Sequence, residues 1–127
     1  MGDEQRKLLR NLPLHIKLEL LFGDKIVKLL LEHGSATSID ELLNENTNED
    51  YLFDMMQKAD ADIMCFGHTH QPYHKTLKRK GTDIIVEKYA INIGSIGKPK
   101  DRDPRGCYLI FKLNEPEYKA VLVCKSW

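Results

Sequence analysis

Three of the five histidines stand where an apolar run gives way to a glycine-flanked polar segment. They are His33, in Glu32-His33-Gly34-Ser35, and His68 and His70, in Gly67-His68-Thr69-His70-Gln71-Pro72. Neutral imidazole ligates zinc, iron, nickel and copper, and serves manganese where carboxylates share the site. In an extended segment His68 and His70 would point the same way, roughly 6.5–7 Å apart at the backbone. Both could then reach one ion, or each could reach one of two ions about 3.5–4 Å apart, as in two-metal hydrolytic sites. Gly67, lacking a Cβ, would let backbone and ion approach. A His-x-His alone is a weak signal. The apolar run before it and the second strand-ending His-Gly upstream strengthen it.

Other polar residues compete with plainer roles. Gly94-Ser95-Ile96-Gly97-Lys98-Pro99 invites a phosphate-loop reading, but its spacing is wrong and Pro99 stands where a Ser or Thr is needed. A glycine-rich turn packing near the histidine loop fits better. Asn92 could steady that loop or meet substrate. Arg105, like Arg102, could grip a phosphate bidentately, although a charged surface turn accounts for both. His74 continues the histidine motif and could line a substrate mouth. The basic stretch Lys75 to Lys80 reads as a solvated turn between strands.

Positioning these groups requires strands. Asp62 to Phe66 is a short continuous apolar run closed by Gly67, the mark of a strand buried on both faces. Alternation from His15 through Leu20, turn residues at Phe22-Gly23-Asp24-Lys25 and a second apolar run from Ile26 to Leu31 predict a hairpin that ends at His33. Between the two histidine segments, Ser38-Ile39-Asp40-Glu41 has capping-box spacing for a short helical turn. Thr47 could cap a helix whose Leu52, Met55, Met56 and Ala59 share one face. A first helix is expected from Glu4 to Asn11, stopped by Pro13. Strands are expected over Asp83 to Glu87, Tyr89 to Ile93, Gly106 to Leu113 and Tyr118 to Cys124, with a turn at Asn114-Glu115-Pro116.

The chain of 127 residues is long enough for one domain with a core and too short for two comfortable ones. Lysine plus arginine equals aspartate plus glutamate at 19 each, so the general basic field of a nucleic-acid binder is missing. No uncharged run approaches the length of a membrane span. Cys65, Cys107 and Cys124 lie in apolar runs without metal spacing, which predicts reduced, buried thiols and a cytoplasmic location.

In order along the chain stand Leu30-Leu31-Glu32-His33-Gly34-Ser35, then Ala61-Asp62-Ile63-Met64-Cys65-Phe66-Gly67-His68-Thr69-His70-Gln71-Pro72-Tyr73, then Ile91-Asn92-Ile93-Gly94-Ser95-Ile96-Gly97-Lys98-Pro99. This trio resembles the C-terminal half of calcineurin-like metallophosphoesterases, nearest their compact bacterial and archaeal phosphodiesterase branch, over most of the chain. The resemblance implies a single α/β domain over 1–127. It would be part of an α-β-β-α sandwich, strand-rich with two or three short helices. It implies metal-dependent hydrolysis of a phosphomonoester or phosphodiester, with two divalent ions (manganese, zinc, iron or nickel) in the parent family. His33 and His68 would bind the second metal and His70 the first.

The Asp-x-His, Gly-Asp-x-x-Asp and Gly-Asn-His motifs that such enzymes carry upstream are not in this sequence. Three imidazoles bring no negative charge to offset two close cations, so at most one ion is expected here and the isolated chain should be inactive. The expectation is therefore a fragment: a truncated gene product, a separate subunit, or a proteolysed or engineered piece. A homo-oligomer or the missing N-terminal half would cover its bare sheet face. The alternative is a non-catalytic metal-binding or protein-interaction module of the same ancestry.

Overall fold

The computed structural model describes residues 2–98, 100, 102–114 and 117–125. After helix α1 (Asp3–Arg10), strands β1 (His15–Phe22) and β2 (Lys25–Glu32) pair antiparallel around a two-residue turn, Phe22 facing Lys25. Gly23 occupies the first central position of that turn at φ 61°, a left-handed conformation that glycine adopts without steric cost. Helix α2 (Glu49–Lys58) then leads into β3 (Ile63–Phe66), and a second hairpin, β4 (Tyr73–Lys80) and β5 (Ile85–Asn92), follows. The sheet order is β1-β2-β3-β5-β4. β2, β3 and β5 run parallel, so their C-terminal ends open on one edge of the sheet.

As its apolar run predicts, β3 is buried along its whole length between the two faces. One face meets α2, through Leu30, Met64, Phe66 and Leu77 against Leu52, Phe53 and Met56. The other presents Val27, Leu29, Ile63, Cys65 and Ile91 to a separate two-stranded hairpin, β6 (Gly106–Asn114) and β7 (Glu117–Lys125). Leu109, Phe111, Ala120 and Leu122 of that hairpin pack on them. The result is a helix, a mixed five-stranded sheet and a β-hairpin in three layers, an α/β architecture.

Several expectations change. The basic stretch Lys75 to Lys80 is a strand: β4 alternates, with Leu77 buried and Lys75 and Arg79 on the same side facing α2. Arg79 lies 4.1 Å over the Phe53 ring and pairs with Asp54 at 2.8 Å, and Lys75 reaches Glu49. Charge run and strand were compatible because α2 carries the complementary acids. The two strands expected over Asp83 to Glu87 and Tyr89 to Ile93 are replaced by one continuous strand, β5 (Ile85–Asn92).

Ser38 to Glu41 makes turns instead of a helix, the Ser38 carbonyl accepting from Ser35 and Glu41 and the Glu41 carboxylate going to Thr37 and Tyr51. Asn48 and not Thr47 caps α2, its Oδ1 accepting from the Tyr51 N–H. α1 buries no residue and shields nothing: Leu8, Leu9 and Leu12 stay more than half exposed. Of the cysteines only Cys65 is a free buried thiol; Cys107 and Cys124 stand opposite each other in β6–β7 and form a disulfide. The turn expected at Asn114-Glu115-Pro116 lies, at 115–116, outside the described residues.

Candidate metal centre

The open edge of the sheet collects the candidate ligands because parallel strands end there, where α/β sheets gather ligands. His33 follows β2 and His68 follows β3 after Gly67. The Gly67 N–H donates to the His33 carbonyl at 3.0 Å, extending the β2–β3 pairing past both strands. His33 Nε2 lies 2.9 Å from His68 Nδ1, with ring centroids 4.7 Å apart. At that separation the two nitrogens share a proton. Their lone pairs could equally converge on one ion at the usual Zn–N distance of about 2.0–2.1 Å.

The histidine loop is not extended. His68 and His70 both adopt left-handed backbone, at φ 66° and 59°, so the same-side projection expected from period-two geometry does not apply. Each left-handed non-glycine residue costs on the order of 1–3 kcal/mol and persists only where its surroundings fix it. Here they do. Thr69, between the two, is buried, and its Oγ1 accepts from Asn92 Nδ2 at 2.8 Å and from the Gln71 N–H at 3.2 Å.

The loop after β5 holds the other side. The Lys98 carbonyl sits 2.6 Å from His70 Nδ1, and the Lys100 N–H donates to the His70 carbonyl at 3.2 Å. With Nδ1–H committed to a carbonyl, Nε2 of His70 is left as the basic nitrogen, the outer-sphere arrangement that orients ligating imidazoles. Gly94, at φ 72°, lies so close to Pro72 and Cys107 that a Cβ would meet their carbons at 3.1–3.2 Å. The glycine-rich segment is thus a turn packed beside the histidine loop, as its spacing suggested; Pro99 lies outside the described residues.

His33 and His68 are therefore brought together, while Nδ1 of His70 meets the Lys98 carbonyl. Among the described residues no three His, Cys, Asp or Glu side chains converge on one point. The donor set suits a borderline divalent ion through nitrogen ligands and, among the described residues, lacks the carboxylate that would bridge two ions.

The three substrate candidates are scattered. Asn92 is fully buried, and its amide bonds the histidine loop. His74 packs edge-on against Tyr89 at 5.8 Å and lines a cavity of about 320 Å³ with Lys119 and Ala120, on the hairpin side of the sheet. Loss of solvation there lowers its affinity for a proton. Arg105 is bound to Asp103, whose carboxyl it holds down at about 2. Thr69, Lys98 and Gly34 are the positioning residues that sequence reasoning passed over. Thr69 lay in plain view inside the motif, but a central residue between two histidines reads as a spacer.

The model of the calcineurin-like phosphoesterase superfamily domain matches residues 2–116. An uncharacterized protein of Methanocaldococcus jannaschii is 30% identical over 128 residues, covering 95% of this chain and 49% of that protein. The chain spans about half the length of this curated relative. Among solved structures, a metallophosphoesterase from Sphaerobacter thermophilus aligns with all of this chain and 52% of its own, at TM-score 0.69 and 23% identity. A hypothetical protein from Pyrococcus horikoshii aligns with 98% of this chain and 46% of its own, at TM-score 0.67 and 17% identity. At these identities the two structural likenesses speak to the fold alone.

Proposed function

The chain belongs to the calcineurin-like phosphoesterase superfamily, and from that membership we propose that it supplies the histidine side of a divalent-metal centre for phosphoester hydrolysis. The observation that carries this reading is the convergence of His33 Nε2 and His68 Nδ1 at 2.9 Å on the strand-end edge. His70, its Nδ1 on the Lys98 carbonyl, would offer Nε2 to a neighbouring ion. Bound there, manganese, zinc, iron or nickel would supply Lewis-acid polarisation of a phosphoryl oxygen. The chain's own residues hold the imidazoles in fixed orientation and tautomer.

Carboxylates would have to come from a second polypeptide layer, either another copy of this chain or a polypeptide corresponding to the rest of its relatives' length. An apolar cavity of about 510 Å³ lies beside the centre, bordered by Leu29, Leu31, Cys65, Ile96, Leu109 and Phe111. Leu31 and Cys65 precede His33 and His68 by a few residues. A layer seated there would cover apolar surface and reach the histidines at once. The second reading is a non-catalytic module that holds one ion, favoured by the lack of a converging carboxylate among the described residues.

A chimera separates them. Joining this chain to the remaining half of the Sphaerobacter thermophilus enzyme should give manganese-dependent hydrolysis of bis-p-nitrophenyl phosphate that His68→Ala and His70→Ala abolish. A chimera that folds and binds manganese but never turns over favours the non-catalytic module.

A further inference from the structure

Asn92 occupies the throat of the histidine loop. It is the β-sheet partner of Phe66 on β3 and of Tyr73 on β4, the residues that flank the loop of residues 67–72. It is completely buried. Its amide bonds this loop and the one beside it: Nδ2 donates to the Gly67 carbonyl at 3.1 Å and to Thr69 Oγ1 at 2.8 Å, and Oδ1 accepts from the Gly94 N–H at 2.9 Å. Only one orientation of the amide meets all three partners, because the flipped group would face carbonyl to carbonyl.

The Gly67 carbonyl already accepts from the Thr69 N–H at 2.8 Å, so Asn92 is not needed to satisfy it. What Asn92 adds is a fixed point for the Thr69 hydroxyl. With Thr69 drawn inward, the left-handed residues on either side, His68 and His70, turn their rings out of the core.

We propose that Asn92 and Thr69 form a positioning latch that sets the orientation of His68 and His70, joining the loop after β3 to the loop after β5. The latch rests on the reading of these histidines as metal ligands, and it acts through them; neither latch residue touches a metal or substrate. It also explains why a threonine separates the histidines: the position needs a small side chain whose hydroxyl can accept from Asn92 and from the Gln71 N–H at the same time. Serine keeps that hydroxyl. Valine has nearly the shape and none of the chemistry.

Thr69→Val, Thr69→Ala and Thr69→Ser are compared with the unchanged chain by zinc calorimetry. In parallel, nitrogen-15 NMR of the metal-free protein at mildly alkaline pH reads which ring nitrogen of His70 carries the proton. Circular dichroism establishes that each variant is folded. Valine and alanine should weaken zinc about tenfold or more, the scale on which outer-sphere partners act, and should mix the His70 tautomers. Serine should keep the parent affinity and a single Nδ1–H tautomer. Folded Thr69→Val and Thr69→Ala proteins with parent affinity and parent tautomer would overturn the latch. If the unchanged chain takes up no zinc, the metal reading fails by itself, and the His70 tautomer alone then decides for or against the latch.

Discussion

His33 Nε2 and His68 Nδ1 lie 2.9 Å apart although 35 residues separate them in sequence. The contact is set by backbone: β2 and β3 run parallel, and both ligand segments leave the sheet at the same edge. Gly34 holds the His33 side, since a Cβ there would come within 2.5 Å of the Ser38 and Ile39 carbonyl oxygens. Gly34→Ala should therefore cost about 1–3 kcal/mol of stability, as overpacking against backbone does, and should separate the two rings. Thermal unfolding measures the first, and the ring proton shifts of His33 and His68 the second.

The Cys107–Cys124 disulfide closes a segment of 17 residues across the open end of β6–β7. A cross-link of that length is worth about 3 kcal/mol in chain-entropy terms. Reduction, or Cys124→Ser, should lower the melting temperature accordingly. Cys65, its thiol pushed up to about 12 by burial, should resist alkylation in the folded protein and react only after unfolding. Three titratable thiols in the unreduced, unfolded chain would contradict the pairing.

Lys88 is buried with Nζ donating to the Ala61 carbonyl at 2.7 Å, 5.6 Å from the Phe53 ring centroid. Burial lowers its proton affinity below the ordinary lysine value of 10.5. The unfolded chain then holds this proton at pH values where the folded chain has released it, so stability attributable to Lys88 rises with pH across the window just below 10.5. Lys28, raised by Asp60, contributes with the opposite sign as pH passes its own value. The difference between parent and Lys88→Met isolates Lys88: denaturant midpoints of the variant should lack the alkaline gain seen in the parent.

α1 buries none of its residues. Leu8→Glu and Leu12→Glu should each change unfolding free energy by no more than about 0.5 kcal/mol, the usual range for exposed positions. A loss of several kcal/mol at micromolar concentration, absent on dilution, would show that α1 packs against a second molecule.

Much of the fold is legible in residue order because local pattern and tertiary demand agree. The Gly23-Asp24 turn, the all-buried Ile63–Phe66 strand and the Leu52–Met56 face each have one physical solution. β4 was hidden because its lysines and arginine look like a solvated turn until the acids of α2 are seen beside them. α1 is the converse case: Leu8, Leu9 and Leu12 give the segment an apolar side, yet α1 buries none of its residues. At the site, the histidines announce themselves by type and spacing, whereas their left-handed backbone does not, being imposed by Asn92 from another strand. The same holds for Cys107 and Cys124, whose pairing depends on hairpin register and not on spacing.

Zinc calorimetry on the metal-stripped chain bears most directly on the central claim, that His33 and His68 converge as ligands. The parent should take up about one zinc per chain with modest affinity, three nitrogen donors at most being available without carboxylates. His33→Ala and His68→Ala should each remove most of that binding, while His15→Ala, on the neighbouring strand β1 opposite Glu32, should leave it unchanged. Equal zinc binding by the parent and the His33→Ala/His68→Ala double variant would contradict the account.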